Sequence, residues 1–244
     1  GEGWDGSPRV SVRGERGSDG RVRFAGAARL SLEDGTLIGT SPSGKPIRMS
    51  RVERQSPTLG APPPKGAVVV FDSGDPGRVT GILDESGNLK AGATSLDSFQ
   101  DFTLHLEFRT PFTPDGRGQA RGNSGVYLQN RYEVQVLDSF GLPEADNDCG
   151  GIYKVAPPQV NMSLPPLQWQ TYDIDFTAAR YDDQGEKTAQ ARVTVRHNGV
   201  VIHDDVTLPC RTGGGEAEAP TPGPIYLQEH GDPVVYRNVW VLPR

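Results

Sequence analysis

Two short stretches carry side chains whose types and spacing suit proton transfer on a polar ligand. The first is GNSGVYLQNRYEVQVLDSF, residues 122–140. Two alternating runs, Gly125–Gln129 and Arg131–Leu137, flank a very short turn at Asn130. Successive side chains of a strand point to opposite faces. Glu133 and Gln135 therefore share one face, and Tyr132, Val134 and Val136 share the other. A carboxylate and an amide set between valines are costly unless their face is wet or hydrogen-bonded. A ligand-facing sheet surface accounts for them; an ordinary solvent-facing strand is the alternative.

The second stretch is IYLQEHG, residues 225–231, in which Tyr226, Gln228 and His230 alternate with Ile225, Leu227 and Glu229. Aromatic rings stack on the apolar faces of sugars, amides bond hydroxyls, and an imidazole exchanges protons near neutral pH. Three further candidates are Asn123, Tyr153 and Arg237. Tyr153 follows Gly150-Gly151, where backbone can approach a ligand closely. Arg237 is placed to hold a carboxylate such as Glu133. The sequence has no GxSxG elbow, phosphate-binding loop, HExxH or GxGxxG opening a helix.

The elements that must position these residues are strands. Gly (31) and Pro (21) make up about a fifth of the 244 residues, well above ordinary usage, and both break helices. No run holds a 3.6-residue apolar period. In TLHLEFR, Leu104, Leu106 and Phe108 oppose His105, Glu107 and Arg109. Tyr172, Ile174 and Phe176 alternate with Asp173 and Asp175, and Val193 and Val195 with Thr194 and Arg196. Asn198-Gly199 predicts a tight hairpin returning through Val200–His203. The last two strands are expected at Pro224–His230 and Val234–Leu242. Many short strands between turns predict an all-β antiparallel sandwich or barrel.

Three zones follow. Residues 1–55 hold short alternating runs at Arg21–Phe24, Ala28–Leu32 and Thr36–Ile38, a small β extension with little apolar content. SPTLGAPPPKG, residues 56–66, is expected to be an extended proline-rich linker. Residues 67–244 form the main β domain.

The net charge of −6 disfavours nucleic acid and anionic membranes as partners, because both call for clustered Lys and Arg. No stretch approaches the ~20 apolar residues of a membrane-spanning helix. Cys149 and Cys210 lack metal-site spacing and are expected as free thiols, with one disulfide as the alternative. The chain starts at Gly1 without methionine, so a processed, exported product is expected (periplasmic, cell-surface or secreted).

Taken together, DFTLHLEFRTPF, GNSGVYLQNRYEVQVLDSFG, NDCGGIY, WQTYDIDF, NGVVIHDD and GPIYLQEHGDPVVYRNVWV resemble, in order and spacing, the 3-keto-disaccharide hydrolase family. The likeness spans about Val68 to Pro243. The N-terminal zone resembles the variant of this family common in planctomycete-type bacteria. The resemblance implies a concanavalin A-like jelly roll with a concave sugar-binding face, bacterial glycan breakdown, and cleavage of glycosides oxidised at sugar carbon 3. Retaining glucanases of that superfamily carry Glu-x-Asp-x-(x)-Glu on one strand; here the similar segment runs Glu133-Val-Gln135-Val-Leu-Asp138. The middle carboxylate is an amide, and regular alternation sets Asp138 on the opposite face. Double displacement needs two carboxyl groups about 5–5.5 Å apart, so it is disfavoured.

A 3-keto substrate needs less. The ketone acidifies the proton on carbon 2, a base removes it, the carbon 1 substituent leaves, and water adds back. Glu133 and His230 are then base and acid in either order. Gln135, Gln228, Arg237 and Asn123 are candidate donors to the enolate oxygen, Tyr153 can supply a proton or stack, and Tyr226 and Asp138 complete the substrate-binding set. Glu, Asp and His side chains would also suit a divalent cation, although no ligand spacing demands one. A carbohydrate-binding module without turnover and a surface-layer component are the competing readings; a base paired with an acid favours the enzyme.

Overall fold

The structure, a computed structural model, describes residues 13–24, 29–41, 43–72 and 77–244. Ala28, which opens one expected N-terminal run, lies outside them. The chain divides into two compact units, Gly1–Arg54 and Gln55–Arg244. The first is an antiparallel meander of β1 (Gly14–Arg16), β2 (Val22–Phe24), β3 (Arg29–Glu33), β4 (Thr36–Thr40) and β5 (Pro46–Ser50), paired in chain order. None of its described side chains is fully buried.

The second unit is an antiparallel β-sandwich. Its strands are β6 (Val68–Phe71), β7 (Val79–Thr80), β8 (Leu89–Lys90), β9 (Ala93–Phe99), β10 (Phe102–Arg109), β11 (Ser124–Leu128), β12 (Tyr132–Val136), β13 (Gln170–Thr177), β14 (Arg180–Tyr181), β15 (Lys187–Ala189), β16 (Ala191–His197), β17 (Val200–Leu208), β18 (Gly223–Leu227) and β19 (Val235–Pro243). One sheet runs β17-β16-β13-β10-β19-β6, with β8 also on β19. The other runs β12-β11-β18-β9-β7, and β14 and β15 pair separately.

Period-2 alternation builds the core between the sheets. Leu104, Leu106, Phe108, Tyr172, Ile174 and Phe176 share it with Val126, Leu128, Val134, Val136, Ile225 and Leu227, all fully buried. Each such side chain contributes roughly 1.5–3 kcal/mol on burial. Polar contacts cross the core where a strand must be held in register. The Tyr172 hydroxyl donates to the Gln135 carbonyl at 2.7 Å, and the Ser124 and Tyr236 hydroxyls meet at 2.7 Å. The Asn198-Gly199 hairpin has the positive φ values, 51° and 77°, that its residue types allow. Gln129 and Asn130, at 54° and 56°, close the β11–β12 hairpin in the same way.

The outer face of the seven-stranded sheet is covered by the segment expected to act as a spacer. Ser56 and Thr58 hydrogen-bond Thr171 and Asp173, and the Gly60 amide donates to Glu107. The Asn238 and Trp240 side chains donate to the Ala61 carbonyl. This explains how His105 and Glu107 are buried on a face that alternation assigns to solvent. Burial opposes ionisation of Glu107. The His105 ring 4.0 Å away and hydrogen bonds from Gly60, Asn238 and Arg237 outweigh it and hold the carboxyl down at about 2.

Glu107 is thus a fully compensated buried anion, and truncating it strands its partners. Glu107→Ala is expected to lower stability by roughly 3–5 kcal/mol, the scale for breaking a buried pair. Urea unfolding at neutral pH measures this; a loss below about 1 kcal/mol would match a surface pair instead.

Candidate functional site

A cleft of about 300 Å³ lies against the outer face of the five-stranded sheet. Tyr127 of β11 and Glu133 and Gln135 of β12 form its floor. The β11–β12 register sets Tyr127 directly across from Glu133, and Gly125 across from Gln135. Loops supply the walls: Gln119 and Asn123 from one side, Tyr153 from another, Gly213 and Gly214 from a third, and Gln228 and His230 beyond β18. Strand β18 ends at Leu227, so Gln228 and His230 sit on the following turn and not on a continuing strand.

Glu133 is only 2% exposed although it points away from the sandwich core. Its neighbours make room for it. A Cβ on Gly125 would lie 2.3 Å from Glu133 Oε1 and 2.9 Å from Cδ, so only glycine leaves the carboxyl in place. The Glu133 amide donates to Thr212 Oγ1 at 2.9 Å, and its carbonyl accepts from the Tyr153 amide at 3.2 Å. These bonds seat the loops that bury it. Among the described residues the side chain has a single donor, the Tyr127 hydroxyl, at 2.8 Å from Oε2. Burial, opposed only by that bond, pushes the Glu133 carboxyl up to about 7. The Tyr127 phenol is pushed far up by burial and by the facing carboxyl, so it keeps its proton.

A chain of amides orders the other wall. Gln119 Nε2 donates to the Asn147 carbonyl at 2.8 Å, which turns Gln119 Oε1 toward Gln135 Nε2 (3.0 Å) and Asn123 Nδ2 (3.4 Å). The Asn123 backbone N–H donates to Asp232 Oδ2 at 2.9 Å. Gln228 Nε2 donates to the Tyr127 hydroxyl at 3.2 Å. Two amide oxygens, Asn123 Oδ1 and Gln228 Oε1, are buried without a partner among the described residues. Each carries an unmet demand for a donor, worth about 1–3 kcal/mol.

Six of the nine expected site residues line this cleft: Glu133, His230, Asn123, Gln135, Tyr153 and Gln228. Tyr226 packs its ring 5.7 Å from Tyr127, next to the cleft but outside its lining. Two expectations are corrected. Arg237 does not hold Glu133: it lies on β19 in the other sheet, where Nε meets Glu107 Oε2 at 2.6 Å and the guanidinium stacks 4.0 Å from the Trp169 ring. Asp138 lies past the end of β12, buried and bound to Arg121 at 2.5 Å, and it does not line the cleft. Its pairing requirement is met by that arginine.

Sequence reasoning missed Gln119, Tyr127, Gly213 and Gly214. A signal existed for two of these sets. The short turn after Leu128 fixes the register that faces Tyr127 with Glu133, and the triple glycine after Thr212 marks close backbone approach. Cys149 is buried, Cys210 is exposed, and neither is bonded. Among the described residues no three His, Cys, Asp or Glu side chains gather as a metal site, so the suggested cation finds no ready ligand set there. No helix among them is long and apolar enough to cross a membrane.

Residues 65–242 match the profile of the 3-keto-alpha-glucoside-1,2-lyase-like domain. A solved structure of a candidate glycosyl hydrolase from Parabacteroides distasonis is 33% identical, with a TM-score of 0.67, covering 74% of this chain and 84% of that one. A second candidate glycosyl hydrolase of that organism is 15% identical at a TM-score of 0.52, covering 73% of this chain and 94% of that one, and is similar in fold. None of the curated proteins compared with the chain matches it.

The raised Glu133 carboxyl links stability to pH. It titrates near 4.5 when unfolded and near 7 when folded. The folded state binds this proton more tightly, so the stability present below pH 4.5 is lost as pH rises through 7. Between pH 4.5 and 8 the wild type is expected to lose on the order of 3 kcal/mol relative to Glu133→Gln. Urea titrations of both proteins check this; parallel pH dependences would contradict it. Gly125→Ala is expected to displace the carboxyl and reduce its pH-linked term while the chain stays folded, read by the same titrations.

Proposed function

The chain belongs to the family of the 3-keto-alpha-glucoside-1,2-lyase-like domain, and on that premise we propose that it cleaves glycosides oxidised at carbon 3. Glu133 removes the proton on carbon 2. The C–H electron pair passes toward the carbon 3 ketone as an enolate, then forms the C1–C2 double bond as the C1–O bond breaks. His230, exposed at the rim, gives a proton to the departing oxygen. Water adding across the new double bond completes a net hydrolysis. Gln135, Gln228, Asn123 and the Tyr153 phenol hold the ring and its enolate oxygen.

One observation carries this reading: the described cleft lining holds a single carboxyl, buried with one donor, and burial pushes it up to about 7. A base poised near the working pH combines a useful ionised fraction with enough basicity to take a carbon-bound proton. Ordinary retaining or inverting hydrolysis draws on two carboxyl groups. Elimination draws on one. The amide side chains of Asn123, Gln135 and Gln228 in the lining add support, because amides bond sugar hydroxyls. An oxidised glycoside is the partner on this reading, and we propose an exported location from the family resemblance alone.

Release of the aglycone from a 3-keto-glucoside and from the unoxidised glucoside tests the proposal. Turnover is expected only with the ketone, with a rising limb in kcat/KM centred near pH 7. Glu133→Gln is expected to fold and to lose at least ~100-fold in kcat. Sugar binding without release from either substrate would identify a binding module instead.

A further inference from the structure

The Tyr127 hydroxyl has more partners than its one proton can serve. It lies 2.8 Å from Glu133 Oε2 and 2.8 Å from the Gly213 carbonyl, both of which call for a donor. Gln228 Nε2 donates to it at 3.2 Å. The glycine run is fitted against this oxygen: a Cβ on Gly214 would lie 2.8 Å from it, and the residue has φ of 79°. Gly213 and Gly214 are also part of the cleft lining.

A phenol donates one hydrogen bond and accepts two. While Glu133 is ionised, the phenol proton goes to the carboxylate and the Gly213 carbonyl goes without that donor. Once Glu133 is protonated, its own hydroxyl donates to the phenol oxygen, and the phenol proton turns to Gly213. All three of Tyr127's bonding positions are then filled. The only net change is the proton that Glu133 accepted.

We propose that Tyr127 is a positioning residue and a latch: it ties the Gly213–Gly215 loop to the cleft when Glu133 is protonated and releases it when Glu133 is ionised. The proposal rests on Glu133 as the proton acceptor of the reading above. On that reading the loop tightens after the substrate proton is taken, while the unsaturated intermediate occupies the cleft. Other titratable groups around the phenol are Tyr226 on the neighbouring strand, Tyr153, and His230 at the rim. His230 is not among the hydrogen-bond partners of Tyr127 or Glu133, and His230→Gln serves as its control.

Hydrogen exchange of the full chain, without substrate, tests the latch. The reporters are the Thr212, Gly215 and Glu216 amides, which hydrogen-bond Arg131, Thr212 and Asn130 carbonyls. After correction for intrinsic rates, wild-type protection is expected to fall about threefold to tenfold as pH rises through 7, the loss of about one hydrogen bond. Two near-isosteric variants should diverge. Tyr127→Phe leaves the loop unlatched, with low protection at every pH. Glu133→Gln keeps a neutral donor facing the phenol, with high protection at every pH. His230→Gln retains the wild-type dependence. Flat wild-type protection, or an unchanged pH dependence in Tyr127→Phe, would overturn the latch. Neither result bears on whether a 3-keto-glycoside is cleaved, which the release assay decides separately.

Discussion

The structure turns on a carboxyl group buried with too few partners. Glu133 sits on the outer face of a sheet, where alternation would give it water, and loops deny it that water. One phenol hydrogen bond does not repay the desolvation of a charge, so the group holds its proton up to about pH 7. Much of the surrounding architecture serves this placement. Gly125 leaves the space, the two-residue turn sets the register against Tyr127, and Thr212 and Tyr153 bring their loops onto the β12 backbone.

A second buried glutamate shows what partners change. Glu107 lies on the outer face of the opposite sheet, as buried as Glu133. It receives Arg237, the Gly60 amide and Asn238, and is held at about 2. One fold therefore drives two carboxyls apart by their environments alone. That separation distinguishes the glutamate that fastens the structure from the one suited to exchanging a proton. The proline-rich segment takes part in the fastening, because it closes the back of the sandwich and supplies one of Glu107's donors.

Much of this is legible in the sequence where physics is local. Period-2 runs locate β10, β13 and β16, and Asn198-Gly199 locates the hairpin between β16 and β17. The shared face of Glu133 and Gln135 can be read because side-chain alternation needs only neighbours. What fails is long-range. Nothing in the sequence near Arg237 says that β19 pairs with β10, so Glu133 stands in for its true partner, Glu107. Alternation carries His230 onto a strand that stops three residues earlier. SPTLGAPPPKG has the composition of a spacer, and only tertiary contact shows that it packs. Asp138 looks available because its arginine, Arg121, comes from a separate loop. Tyr127 looks like one more strand aromatic until the register faces it with Glu133.

The central claim is the state of one side chain, and it can be observed directly. Difference infrared or carboxyl-carbon NMR titration of the wild type against Glu133→Gln isolates the Glu133 signal. A midpoint near pH 7 is expected, moving higher in Tyr127→Phe as the one opposing hydrogen bond is lost. A midpoint near 4.5, the ordinary value for a solvated glutamate, would contradict it.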